Sequence, residues 1–98
     1  MILTNEQIQS VVSKYFAGKP VMKAWIFGSY ARGEADANSD VDVLVEVDYN
    51  KNPGIDFFEW HQDLAEAIHK KVDVVSLKGV NKRVWPYIEK DMKLIYER

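Results

Sequence analysis

The distribution of apolar and polar residues at the start of the chain predicts a helix followed by a strand. Apolar side chains recur every three or four positions over residues 4–17, and Thr4 with Gln7 forms a capping box at the helix start. A short apolar run at Val21–Phe27 predicts the first strand. Residues 30–35 then predict a brief helix, so the first third of the chain already alternates between the two kinds of element.

The middle of the chain carries the clearest strand signal. Residues 40–48 alternate strictly, with valines on one face and mostly acidic side chains on the other. Residues 49–55 predict a loop because they contain an Asn-Pro-Gly sequence. Asp56 and Glu59 form a second capping box that predicts a helix to about residue 69, and residues 72–77 predict a third strand.

The last residues complete an α/β pattern. Beyond residue 80 we expect a helix interrupted near Pro86 and then a short strand at Leu94–Glu97. Helices that alternate with strands favour an α/β fold with a small mixed β-sheet packed with helices. A helical crossover joins the second and third strands, so these should be parallel, with Asp40 and Asp73 at the same end of the sheet. The first strand should run antiparallel to the second.

Length and composition exclude several classes of protein. The 98 residues fit one domain, 1–98, and 47% hydrophobic with 29% charged residues is typical of a globular chain with a real core. A net charge of −2 makes nucleic acid an improbable main partner, and no segment has the length and apolarity of a membrane span. The chain has no cysteine, which excludes disulfides, a thiolate nucleophile and Cys-bound zinc. No export signal is visible, so we expect a cytoplasmic location.

Charge is unevenly distributed along the chain. Residues 32–48 contain six acids and one base, whereas residues 69–98 contain eight bases and four acids. The acidic segment is therefore either a solvated surface or a cation site.

The spacing of three aspartates favours the cation site. Asp40 and Asp42 lie two apart on a predicted strand, so their side chains leave the same face, and Asp73 should approach from the neighbouring strand. Hard carboxylate oxygens favour Mg²⁺. Gly28-Ser29 supplies a complementary half, because a glycine lets a phosphate approach the backbone and the serine adds a hydroxyl. Carboxylate-bound Mg²⁺ beside a phosphate cradle is typical of phosphoryl or nucleotidyl transfer.

These residues resemble a known family. Gly28-Ser29, ten residues and then Asp40-Val41-Asp42, with Ala31-Arg32-Gly33 between them and Asp73 on a later strand, resemble the nucleotidyltransferase superfamily of the DNA polymerase β fold. The short chain is similar to the minimal, MNT-type members. It departs from the pattern in one place, since Lys70-Lys71 stands where relatives often carry a glycine before the strand of the third carboxylate.

The resemblance implies roles for the three aspartates. Asp40 and Asp42 would hold two Mg²⁺ ions, one on the triphosphate and one at the acceptor hydroxyl. Asp73 would complete the second metal site and help to deprotonate that hydroxyl.

The resemblance also implies a phosphate-binding side of the site. Ser29 would bind the β- or γ-phosphate of ATP, Gly28 would keep the turn open, and Arg32 would neutralise the leaving pyrophosphate. The reaction implied is transfer of a nucleoside monophosphate, AMP if the substrate is ATP, by attack on the α-phosphorus.

Three functions remain open from the sequence. The resemblance implies AMP transfer to a hydroxyl of a small helical HEPN-type partner protein in a toxin–antitoxin pair, within a homo- or hetero-oligomer. The basic, aromatic C-terminal segment also suits a binding module that neutralises a partner by contact alone. A third possibility is a nucleotidyltransferase that modifies small molecules such as aminoglycosides, which would need an acceptor pocket that a chain of this length can scarcely build without dimerising.

Overall fold

The structure is a four-stranded mixed sheet with helices packed against it. It is a computed structural model that describes residues 2–50 and 55–98. The elements follow the chain as α1 (Asn5–Phe16), β1 (Val21–Phe27), α2 (Ser29–Arg32), β2 (Val41–Val47), α3 (Phe57–Ile68), β3 (Val72–Ser76), a 3₁₀ turn (Leu77–Gly79), α4 (Trp85–Asp91) and β4 (Lys93–Glu97). The predicted α/β fold with a mixed sheet is confirmed.

The strands lie in the order β3-β2-β1-β4. β2 pairs in parallel with β3, as the helical crossover predicts, and β1 pairs antiparallel with both β2 and β4. β1 and β2 therefore form the centre of the sheet. Both predicted strand directions are confirmed.

The main core lies between one face of the sheet and the helices α1 and α3. Every second residue of β2 points into it, and Val41, Val43 and Val45 are fully buried there. Helical spacing brings one face of each helix onto these valines, with Phe16 of α1 and Trp60 of α3 in edge-to-face contact at 5.3 Å between ring centroids. The predicted capping box starts α1, because Thr4 and Gln7 exchange side-chain to backbone hydrogen bonds.

Part of the opposite face of the sheet is covered by the 3₁₀ turn that follows β3. Leu44 of β2 points away from α1 and α3 but is still fully buried, and the 3₁₀ turn at Leu77–Gly79 lies against β2. Ile88 of α4 is also buried outside the main core. The second face is thus only partly covered, and the acidic residues Asp42 and Glu46 of β2 project from it.

Four predicted local features differ from the structure. The brief helix expected at 30–35 is the single turn α2, since Gly33 takes a left-handed conformation (φ 73°) and ends it. The second capping box is an N-cap, in which the Asp56 carboxylate accepts from the amides of Phe58 and Glu59. Pro86 begins α4 instead of interrupting a helix, because the first turn needs no N–H from it.

The fourth difference is the length of β2. This strand is one residue shorter at each end than the predicted range 40–48. Part of the predicted loop at 49–55, residues 51–54, lies outside the described residues.

The free edge of β3 is covered by a side chain of α3. The Nδ1 atom of His61 lies 2.8 Å from the carbonyl oxygen of Val72 and 3.3 Å from the amide nitrogen of Val74. This contact ties α3 to the strand that carries Asp73. Over residues 2–50 and 55–98, no helix has the length and apolarity needed to cross a membrane.

Candidate active site

Two of the three predicted aspartates are neighbours across the sheet. Asp42 is the second residue of β2, and the parallel register places it beside Asp73, the second residue of β3. On its other side Asp42 pairs with Phe27, the last residue of β1. Asp40 directly precedes β2, one pleat before Asp42 on the same side of the strand. The three residues therefore lie at one end of the sheet, next to the turn that leaves β1.

The environment of Asp42 disfavours its negative charge. Partial burial is the main cause that raises the pKa of its carboxyl from 3.8 to about 6, and the charges of Asp73 and then Asp40 raise it further. The positive charges of Arg32 and Lys71 lower it by less. The crowding of carboxylates leaves this corner short of positive charge, which is a condition that favours a bound cation.

Asp40 makes an ion pair that the sequence did not predict. Its Oδ2 atom lies 3.8 Å from Nζ of Lys71, and both side chains are exposed, so the pair adds little stability. Lys71 lies two residues before Asp73, which puts both side chains on the same side of the strand, and this parity is the signal that could have identified it. Among the described residues, no three His, Cys, Asp or Glu side chains are arranged to hold a metal ion.

Gly28 lies at the turn between β1 and α2, directly against Asp42. Its backbone has φ 74° and ψ −153°, a conformation that only glycine adopts without strain. A Cβ atom at this position would overlap Oδ2 of Asp42. Gly28 and the Asp42 carboxylate are thus close neighbours, and a side chain at position 28 would force this carboxylate to move.

Ser29 and Arg32 are the first and last residues of α2, the single turn after Gly28. The amide of Arg32 donates to the carbonyl oxygen of Gly28 at 3.1 Å, which closes this turn. The turn brings the Arg32 guanidinium close enough to Asp42 to lower the pKa of that carboxyl.

The Arg32 guanidinium binds two carboxylates. Its Nη1 donates to Oδ2 of Asp91 at 2.8 Å, and its Nε donates to Oε2 of Glu34 at 3.1 Å. Both hydrogen bonds raise the pKa of Arg32 above its usual value, that with Asp91 more. Asp91 lies 59 residues along the chain from Arg32, and no sequence pattern could have linked them.

Two open grooves border the aspartates. One, of about 340 Å³, includes Asp40 and Lys71 and is lined by the loop before β2 and the end of α3. The other, of about 370 Å³, includes Asp73 and is lined mainly by apolar surface of α3, with Phe58 at its rim. The aspartates can therefore be approached from more than one side.

Comparison with known families gives one match that covers almost the whole chain. The family described as "Polymerase beta, Nucleotidyltransferase" matches residues 6–98. A protein of Thermococcus cleftensis named protein adenylyltransferase MntA is 37% identical over 92 residues, which span 85% of this chain and 91% of that protein.

Solved structures share the same fold. A toxin–antitoxin structure with AMP-PNP superposes with a TM-score of 0.77 at 23% identity, over 92% of this chain and 73% of that one. A complex of the tri-AMPylated HEPN toxin of Shewanella oneidensis with its MNT antitoxin gives a TM-score of 0.70 at 19% identity, over 95% of this chain and 72% of that one. At these identities, the likeness concerns the fold.

Proposed function

The chain belongs to the polymerase beta family of nucleotidyltransferases, and from this premise we propose that it transfers AMP from ATP to a hydroxyl group of a partner protein. The observation that carries the proposal is the register of β2 and β3, which sets Asp42 beside Asp73, together with the contact between Asp42 and Gly28. A carboxylate cluster next to a glycine turn is the arrangement that nucleotidyl transfer needs.

The oxygen donors of the three aspartates suit a divalent cation, which would have to draw these side chains together, since no three ligand side chains among the described residues form a metal site as they stand. Asp42 lies among like charges, and only oxygen ligands are offered, which suits Mg²⁺ better than softer metals. In this proposal Asp40 and Asp42 would hold two Mg²⁺ ions, Asp73 would complete the second site, and Lys71 would give up its ion pair with Asp40. A metal held there would neutralise charge on the triphosphate and lower the pKa of the attacking hydroxyl.

The proposed reaction is a single displacement at phosphorus. The acceptor oxygen forms a bond to the α-phosphorus of ATP, the bond from that phosphorus to the β-phosphate oxygen breaks, and pyrophosphate leaves. The hydroxyl proton passes to Asp73, on the side of the aspartates that the apolar groove borders. Ser29 binds the β- or γ-phosphate, Gly28 leaves room for it, and Arg32 offsets the charge of the departing pyrophosphate.

Known relatives support the class of acceptor. The protein of Thermococcus cleftensis is named a protein adenylyltransferase, and the Shewanella oneidensis complex contains an AMPylated HEPN toxin. We infer a helical HEPN-type partner for this chain too, in a toxin–antitoxin pair. ATP and Mg²⁺ are abundant in the cytoplasm, where we expect the pair to act.

Label transfer tests the proposal. The protein is incubated with Mg²⁺, a host extract, and ATP labelled at either the α- or the γ-phosphate. We expect label on one acceptor from α-labelled ATP alone, and none with EDTA or with Asp42→Asn. Glu46→Gln is the matched control, since it removes a carboxylate from the same face of β2, four residues from Asp42. Equal labelling by Asp42→Asn and wild type would refute the proposal.

A second function is favoured by the surface of α4. Val84 and Tyr87 are exposed, at 48% and 74%, in a segment that also carries Lys82 and Arg83. Such a surface suits a protein that neutralises a partner by contact alone. This function predicts that Asp42→Asn still binds and neutralises the partner, whereas the transferase predicts that neutralisation is lost with label transfer.

A further inference from the structure

The strongest contact that reaches the site from outside the sequence motif is the ion pair between Arg32 and Asp91. The Asp91 side chain is 13% exposed, whereas Glu34, the other partner of Arg32, is 64% exposed. Solvent screens the contact with Glu34, so the hydrogen bond to Asp91 is the main interaction that orients the guanidinium. α4 is thus tied to α2 at the corner where the aspartates lie.

The local structure of α4 gives no reason for an aspartate at this position. Asp91 is the last residue of the helix, where the helix dipole disfavours a carboxylate. The positive charge of Arg32 offsets this effect. Asp91 is therefore explained by its contact with Arg32 and not by the stability of α4 itself.

The contact leaves Arg32 able to bind a further anion. A guanidinium has about five N–H donors, and the hydrogen bonds to Glu34 and Asp91 use Nε and one donor of Nη1. The remaining donors are held in a fixed orientation, so less side-chain entropy is lost when a polyphosphate binds. Arg32 is also close enough to Asp42 to act on its charge.

We propose that Asp91 is a positioning residue that holds the Arg32 guanidinium in place for the polyphosphate of the nucleotide. The inference rests on the proposed function, because that function is what assigns Arg32 to the phosphates. Asp91 does not touch the substrate. Its effect on the nucleotide passes entirely through Arg32, which is the property that an experiment can isolate.

A double-mutant cycle tests the inference by direct titration with AMP-PNP and Mg²⁺. Asp91→Asn should weaken binding about tenfold, the value typical of a lost charge-assisted hydrogen bond. In an Arg32→Gln background, the same change should have almost no further effect, because nothing is left to position. Asp91→Glu should recover part of the affinity. Glu89→Gln is the control for charge, since it removes an exposed carboxylate from the same helix.

The outcomes separate the inference from the proposed function. Wild-type affinity in Asp91→Asn overturns the inference, as does an equal loss with and without Arg32, which would indicate a purely structural role. Wild-type protein that binds AMP-PNP and shows the coupling, but transfers no AMP to any acceptor, overturns the proposed function and leaves the role of Asp91 intact. Wild-type protein that binds no nucleotide overturns both.

Discussion

At the scale of single residues, the position of Asp42 lowers the free energy of unfolding when its carboxyl is ionised. Its carboxyl has a pKa of about 6 in the folded protein and 3.8 as a free side chain. Between these values the folded state binds more protons than the unfolded state, so the free energy of unfolding falls as the pH rises through this window. Above pH 6 the ionised side chain destabilises the fold, an effect reduced by its partial contact with solvent.

We therefore expect Asp42→Asn to stabilise the protein without metal at pH 7.5. A gain of about 1 kcal/mol is reasonable after solvent screening. The gain should shrink as the pH is lowered towards 4, where the wild-type side chain becomes protonated. Urea denaturation at several pH values measures it, with Glu46→Gln as the control. A gain that is independent of pH would contradict this account of Asp42.

Gly28 allows a second test at the same scale. Gly28→Ala places a methyl group against Asp42 and strains the backbone. We expect AMP transfer to fall by about 100-fold, because displacing a catalytic group by a small distance typically causes a loss of this size. Gly33→Ala is the matched variant, because Gly33 also has a positive φ but open space around it.

Both glycine variants should lose about 1–2 kcal/mol of stability from backbone strain. Only Gly28→Ala should combine this loss with a large loss of transfer, as measured by α-label incorporation at a temperature where both variants are folded. An equal loss of transfer in Gly33→Ala would show that strain, and not the contact with Asp42, is responsible.

At the scale of elements, α1 should contribute to the stability of the fold without affecting AMP transfer. α1 packs on the face of the sheet opposite to the aspartates, and Thr4 caps its first turn. Thr4→Ala should therefore cost about 1 kcal/mol of unfolding free energy. Transfer at low temperature should stay unchanged, and Thr4→Ser should keep the cap and most of the stability. Thermal denaturation measures the expected loss of stability, and label transfer measures whether activity is unchanged.

The strands were predictable because their signals are local. The alternation over residues 40–48 identifies β2, and the helical crossover that follows it fixes the direction of β3. Together they predicted that Asp40 and Asp73 share one end of the sheet. The pairing of Asp73 with Asp42 needed the structure, because Lys70-Lys71 left the start of β3 open.

The shorter helices were harder to predict because single residues decide their ends. Gly33 stops α2 after one turn, and Pro86 begins α4 where it was expected to break a helix. The contact of Arg32 with Asp91 is tertiary, and it depends on side-chain positions that no spacing along the chain encodes.

At the scale of the whole molecule, the strand order sets where the fold is most stable. β1 and β2 each have a partner on both sides, whereas β3 and β4 have one. We expect the amides of β1 and β2 to exchange most slowly with deuterium and those of β4 to exchange first among the strands. Exchange in β4 as slow as in β2 would contradict this order. Asp42 lies at the start of β2 and Gly28 directly follows β1, so both are attached to the central strands.

The imidazole of His61 has a consequence for how copies of this chain behave together. An edge strand normally offers its backbone groups as a template on which a second chain can extend the sheet, and this is a route to aggregation. On β3, the carbonyl of Val72 and the amide of Val74 are already in contact with the imidazole. Another protein can therefore meet this side of the molecule through side chains, close to Asp73, without adding a strand to it.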